Sequence, residues 1–230
     1  MHMLYAIIAI AVFYVIYFFV SIFNSNTRLE KLYDKYIKIT NRKKMSGSEI
    51  AFLGRKYLEL NIKVAKRNGK LTDAYSHKKK VIILSEEVCD NRSIAAAGIV
   101  AHELGHAVQD KNRSALFVVN AFLKKFCSIF CVLALPLLAV GLTMYFCDFY
   151  LSVAIPILGV AITLFLLNIL QNLLEIPLEH NASTVGYQFL LDTDVIDNKD
   201  GKKVKKLLKV AEKTYMADFF KTLIPIRRRK

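Results

Sequence analysis

The chain has 230 residues, 54% of them hydrophobic with a mean hydropathy of +0.34, yet 33 Lys and Arg against 19 Asp and Glu give a net charge of +14. Apolar and basic residues are segregated along the chain, which describes a membrane protein with a polar part rather than a uniformly soluble domain. The charge is no nucleic-acid signature, because neither a recognition motif nor interleaved aromatic and basic residues accompany it. The four cysteines form no C-x-x-C pair and read as packing thiols.

In chain order, Leu4 to Phe23 is an apolar run long enough to cross a bilayer, which takes about 20 residues. No basic segment precedes it and Asn24-Ser25-Asn26 offers no small-x-small cleavage site, so it reads as an anchor and not a signal peptide. A region over 27–125 follows as the catalytic part. Its first stretch, 28–66, reads as helices anchored by Lys31-Leu32-Tyr33 and Ala51-Phe52-Leu53. Asn68-Gly69 signals a turn between Ile62-Lys63-Val64 and the apolar run Val81 to Ser85, predicting a small hairpin-like sheet. The run at 81–85 would be a strand to which an extended peptide could add.

Ser93 is a plausible N-cap for a helix over 93–110, entered through the small-residue run Ile94 to Ala101. That helix carries His102-Glu103-Leu104-Gly105-His106. Its two histidines stand one turn apart and present two imidazoles to one metal ion, and the acid between them is placed to act as general base. Zinc suits such a site because it polarises a carbonyl and acidifies water without redox chemistry. The missing side chain at Gly105 admits either a neighbouring element or a substrate.

Two further spans are predicted, Phe126 to Phe146 and Tyr150 to Leu174, joined by a tip at Cys147 to Phe149. Asn168, Gln171 and Asn172 at the end of the third span should face protein rather than lipid. A hairpin returns the chain to the face it left, so a third ligand beyond residue 174 stays on the same side as His102 and His106. Glu179 is the best candidate, in the first turn of a helix opened by Pro177, with Ser183 one turn on as a partner for a ligand histidine. His180, about 100° around that helix, and Glu175 compete with it. Residues 175–218 complete the soluble part: a helix to about Leu191, a break from Asp192, and an amphipathic helix with Val204, Leu207, Leu208 and Val210. A basic tail over 219–230 ends in Arg227 to Lys230 and should lie on the membrane surface. Lysines and arginines crowd the ends of the spans between Arg28 and Lys44 and at Lys124 and Lys125, which places the catalytic part in the cytoplasm.

The chain resembles the bacterial membrane-bound neutral zinc metallopeptidase family of the YugP type. The matching pieces are the N-terminal apolar segment, Met45 to Ile50, Leu84 to Val88, Ser93 to Ala97, Ala101 to Gln109 and Pro177 to Ser183. The chain departs from the family pattern at Ala74 to His77, at His180 where the family carries an aromatic residue, and in its C-terminus, too short to span. The resemblance implies His102, His106 and Glu179 as zinc ligands and Glu103 as base.

The expected fold is a mainly α membrane protein, with three transmembrane helices and a zincin-like, gluzincin-type catalytic domain bearing a small β element. The expected activity is zinc-dependent hydrolysis of peptide bonds at the inner membrane of a bacterial cell. Its partners would be the lipid bilayer and a peptide or membrane-protein substrate near the surface, with no nucleic acid. Tyr187, Tyr75 and His77 are candidate donors to the oxyanion of the reaction. Two other readings are weighed. In a non-catalytic zinc adaptor, His180 would close the coordination shell. A site-2-type intramembrane protease is opposed by the polar flanks Asp90-Asn91-Arg92 and Asp110 to Arg113.

Overall fold

In the computed structural model, residues 28–146 and 150–222 are described; the predicted first span, the hairpin tip at 147–149 and the tail beyond residue 222 lie outside the described residues. By packing, the described chain forms one unit from 28–108 with 182–218 and a second from 109–181 with 219–222.

The first unit begins with helix α1 (28–36), whose Tyr33 is fully buried. Helix α2 (Gly47–Tyr57) starts at a reciprocal capping box: Ser46 Oγ accepts from Glu49 N–H at 3.3 Å, and Glu49 Oε2 accepts from Ser46 N–H at 2.7 Å. Ile50 and Ala51 of this helix face the core, whereas Phe52, expected as an anchor, is 61% exposed.

Three strands follow, β1 (Lys63–Arg67), β2 (Ala74–Ser76) and β3 (Val81–Ser85), in the order β1-β3-β2. The expected hairpin across Asn68-Gly69 is not formed: β1 pairs parallel with β3, and the hairpin is instead β2 with β3, through the turn at 77–80. The physical reason lies in β3, the one strand with apolar residues at nearly every position and therefore the one that repays pairing on both edges. β1 is exposed throughout and occupies an edge. With both of its sides paired, β3 has no free edge for a peptide, contrary to the expectation for 81–85.

Helix α3 (Glu86–Asp90) leads into α4 (Ile94–Lys111). Ser93 caps α4 as expected, its Oγ accepting from Ala96 N–H at 3.1 Å. From Ile94 to Ala97 every side chain is fully buried, and Val100, Ala101 and Leu104 join them in a core with Ile82, Leu84, Val88, Phe189, Leu190 and Ile196. The unit closes with α8 (Asn198–Thr222), which starts three residues before Gly201. Asp197 caps it through Oδ1, accepting from Asp200 N–H at 2.7 Å. Its Val204, Leu207, Leu208 and Val210 are buried, as the amphipathic pattern predicts.

In the second unit, the expected single span at 126–146 is two helices, α5 (Ala115–Phe130) and α6 (Ala134–Phe146), with a 3-10 turn at Cys131–Leu133 between them. Pro136 explains the break. Its ring has no N–H to give to a carbonyl four residues back, so the helix restarts with the proline in its first turn, where that donor is not needed.

Helix α7 (Leu151–Asp192) is one unbroken element of 42 residues. The helix boundary expected between 174 and Pro177 does not exist, and Glu179 lies deep inside α7 rather than in a first turn. Pro177 is accommodated at an exposed position. The backbone just after it is tied by Gln109, whose Nε2 donates to the Leu178 carbonyl at 2.7 Å and to Asn181 Oδ1 at 3.0 Å. Among the described residues, α7 alone is both long and apolar enough to cross a membrane. Its Asn168 and Gln171 are buried, as expected of amides at a span end. The Cys127 and Cys131 thiols donate to the carbonyls of Leu167 and Leu164, at 3.7 and 3.3 Å.

Gly186 marks a close backbone contact, since a Cβ there would overlap the carbonyl group of Ala101. Gly186→Val is expected to destabilise the protein by about 3 kcal/mol through overpacking. Gly159→Ala, where a Cβ meets nothing, should leave stability unchanged or raised. Thermal unfolding followed by labelling of the buried Cys89, Cys127 and Cys131 thiols checks both.

Candidate metal centre

Helix α4 sorts its residues onto two adjoining faces, about 100° per residue apart. Gly98, Ala101 and Gly105 make a face without bulk, and Ile99, His102, Glu103 and His106 fall within about 100° of one another on the next. The small face is where α7 and α8 come in. A Cβ at Gly105 would overlap the Ala182 carbonyl, and one at Gly98 would press on Val204. Of the two roles open to Gly105 from sequence, the approach of a neighbouring element is the one observed.

The two helices run antiparallel in a fixed register: Ala101 meets Gly186, Gly105 meets Ala182, and Gln109 meets Leu178. That register brings Ser183 Oγ to 3.1 Å from His102 Nδ1. Glu179 is one turn before Ser183 on the same helix face. His102, His106 and Glu179 each offer a ligand atom, and these atoms all lie within 4.8 Å of one another. His102 and Glu179 are buried, at 5% and 7% exposure, and His106 is half-buried. The two imidazoles meet edge to face with centroids 4.7 Å apart.

Two imidazole nitrogens and one carboxylate oxygen in that compass are a donor set that fits a zinc ion and leaves room for a non-protein ligand. With Nδ1 of His102 engaged by Ser183, Nε2 is the nitrogen a metal would take, and the hydroxyl fixes the ring's tautomer and orientation. His180, the competitor, is exposed and outside the cluster, and Glu175 is joined instead to Lys124 and Gln171.

Glu103 is 4% exposed, and with His102 it lines a cavity of about 260 Å³. The opposite walls include Tyr33 and Asp73, which the motif did not announce. Asp73 accepts from the Ser85 N–H at 2.7 Å and from its hydroxyl at 3.1 Å, tying the loop before β2 to the end of β3. Burial pushes its carboxyl above the usual range, against the lowering effect of those hydrogen bonds. Tyr33 donates to Glu87 Oε2 at 3.0 Å, and burial together with that bond raises its phenol well above the ordinary range. Of the proposed oxyanion donors, Tyr187 packs over Gly201 of α8 with Lys205 Nζ 5.9 Å from its ring. Tyr75 is half-buried in β2, and His77 is exposed in the turn that follows.

Residues 10–228 match the model of a family described as "putative neutral zinc metallopeptidase". The chain is 28% identical, over 205 residues, to a Bacillus subtilis (strain 168) protein named "putative membrane protease YugP", an alignment covering 87% of this chain and 86% of that relative. No solved structure matches the chain.

Ser183→Ala removes the hydrogen bond to His102 Nδ1 and is expected to weaken zinc binding by about 10–100-fold, read by competition with a fluorescent chelator. Asp73 gives a pH signature. An acid whose folded pKa is raised adds stability below its unfolded value, near 3.9, and loses that contribution as pH rises through the folded pKa. Asp73→Asn retains an acceptor for Ser85 N–H without the buried charge. Its thermal midpoint should therefore match or exceed wild type at pH 7, with the difference shrinking as pH falls towards 4.

Proposed function

This chain belongs to the family of "putative neutral zinc metallopeptidases", and on that premise we propose that it is a membrane-anchored zinc peptidase with Glu103 as its general base. The observation that carries the reading is the α4–α7 register. Beside it, the ligand atoms of His102, His106 and Glu179 lie within 4.8 Å of one another, and Glu103 lines a cavity with His102.

His102 and His106 would hold the metal through nitrogen and Glu179 through a carboxylate oxygen, with Ser183 bonded to the His102 ring. A zinc ion in that site supplies Lewis acidity, which polarises a carbonyl and makes water acidic near neutral pH. Glu103 takes the proton from the attacking water as the new C–O bond forms, and returns it to the amine nitrogen as the C–N bond breaks. The near-complete burial of Glu103 keeps bulk water from competing for that proton. The exposure of His180 speaks for an open coordination position, and so for a catalytic rather than a closed structural site.

Membrane anchoring is proposed through Leu4 to Phe23, α5 with α6, and α7. The support is the exposed apolar residues of α5 to α7, such as Phe122, Phe146, Ile155 and Leu166, and the name of the Bacillus relative. The basic residues at the span ends favour a cytoplasmic catalytic part at the bacterial inner membrane. Substrates would then be peptides or membrane proteins near the bilayer surface.

Metal content and peptide hydrolysis of the detergent-purified protein test this reading. Wild type should hold one zinc per chain and show chelator-sensitive cleavage. Glu103→Gln should keep the metal and lose about 10²–10⁴-fold in rate, while Glu179→Ala should lose the metal. Zinc retained by every variant, with no cleavage by wild type, would replace the peptidase by a zinc-bearing adaptor.

A further inference from the structure

The cavity beside Glu103 has a chemistry that the hydrolytic step does not require. Its remaining walls are largely aliphatic: Leu29 from α1, Leu71 from the loop before β2, Ile99 from α4, and Leu207, Leu208 and Ala211 from α8. Ile99 sits one turn ahead of His102 and Glu103 on the same face of α4, so the apolar wall begins directly at the reactive residues. Besides His102 and Glu103, the polar groups in the lining are Asp73, bonded to Ser85, and the Tyr33 hydroxyl, bonded to Glu87.

At about 260 Å³ the cavity is smaller than the roughly 300–1,000 Å³ of small-molecule sites. It has room for one or two side chains of an extended chain. Against the aliphatic walls a charged side chain would lose its hydration, whereas an aliphatic or aromatic one gains by leaving water.

We propose that this cavity is the side-chain specificity pocket of the site, selecting peptides with a large apolar residue (Leu, Ile, Met or Phe) beside the scissile bond. The inference rests on the peptidase reading and deepens it. Its substrate class is apolar peptide segments, matched to the aliphatic lining. The selectivity determinants are Ile99 and the α8 residues Leu207, Leu208 and Ala211, with Ala211 the position where added bulk would fill the space.

The zinc-loaded full chain should be given a mixed peptide library, with cleavage sites read by mass spectrometry. The same pocket should be probed without turnover by saturation-transfer NMR on Glu103→Gln, comparing N-acetyl-leucinamide with N-acetyl-glycinamide. Wild type is expected to prefer large apolar residues over glycine or aspartate at one subsite by about 10-fold or more, and Glu103→Gln to bind the leucine probe selectively. Ala211→Phe should shift the preference towards Ala and Gly and abolish the selective binding. Leu208→Ala, which widens the pocket, should shift it towards Phe and serves if Ala211→Phe does not fold. Cleavage without apolar preference, a preference unmoved in either variant, or equal binding of the two probes would overturn the proposal. Selective leucinamide binding lost in Ala211→Phe, with no cleavage by wild type, would sustain the pocket while the peptidase reading fails.

Discussion

The close backbone contact between α4 and α7 is what the rest of the site depends on. Two helices bearing ordinary side chains pack with axes about 8–10 Å apart. Here Gly105 against Ala182 and Gly186 against Ala101 remove the side chains that would hold them apart. Such contact forgoes the burial that two leucines would bring at those positions. It gives in exchange a register that cannot slide, because moving either helix by one turn puts side chains where there is room only for hydrogens. Histidines on one helix and a carboxylate on the other need that rigidity, since a metal site tolerates errors of only a few tenths of an ångström in ligand distance.

The small residues serve a second end. A helix buried on almost every side and also carrying His102 and Glu103 has to place buried polar groups in an apolar core, which is costly unless each meets a partner. Separating the faces of α4 solves this. Ala95, Ala96, Val100 and Leu104 serve the core, Gly98, Ala101 and Gly105 serve the contacts with α7 and α8, and the polar residues share one stripe that opens on a cavity. The Ser183 hydroxyl against His102 Nδ1 is a product of the same register.

Local chemistry made much of this legible. His102, Glu103 and His106 are read from spacing, because a helix turns their separation into proximity, and the Ser93 cap and the α8 pattern are equally local. Glu179 and Ser183 were legible for a related reason: they sit one turn apart, the interval at which a ligand and its supporting hydroxyl share a helix face. The illegible parts are those decided by partners far away in sequence. Nothing within Lys63–Arg67 states that it pairs parallel with Val81–Ser85, since that preference belongs to the apolar demand of β3 on both its edges. Asp73, Tyr33 and Leu71 join the wall of the cavity from loops and helices whose own sequences carry no sign of it. Pro177 misled for a physical reason as well. Its ordinary effect is to end a helix at an added cost of about 3 kcal/mol, and here Gln109 holds the helix together just beyond it.

The continuity of α7 bears directly on what the site can reach. At 1.5 Å per residue its 42 residues extend about 63 Å, twice the roughly 30 Å of a hydrocarbon core. If the apolar part from Leu151 to about Leu174 lies in the bilayer, Glu179 is only about 8 Å further along the axis. The headgroup layer on each side of the hydrocarbon is itself about 5–8 Å thick. On that arrangement Glu179, carried on the same helix as the apolar stretch, would stay near the surface in a way that a residue on a tethered domain would not. A break at Pro177 would have uncoupled Glu179 from the apolar stretch. The unbroken helix makes the distance of Glu179 from the apolar stretch a property of the secondary structure itself.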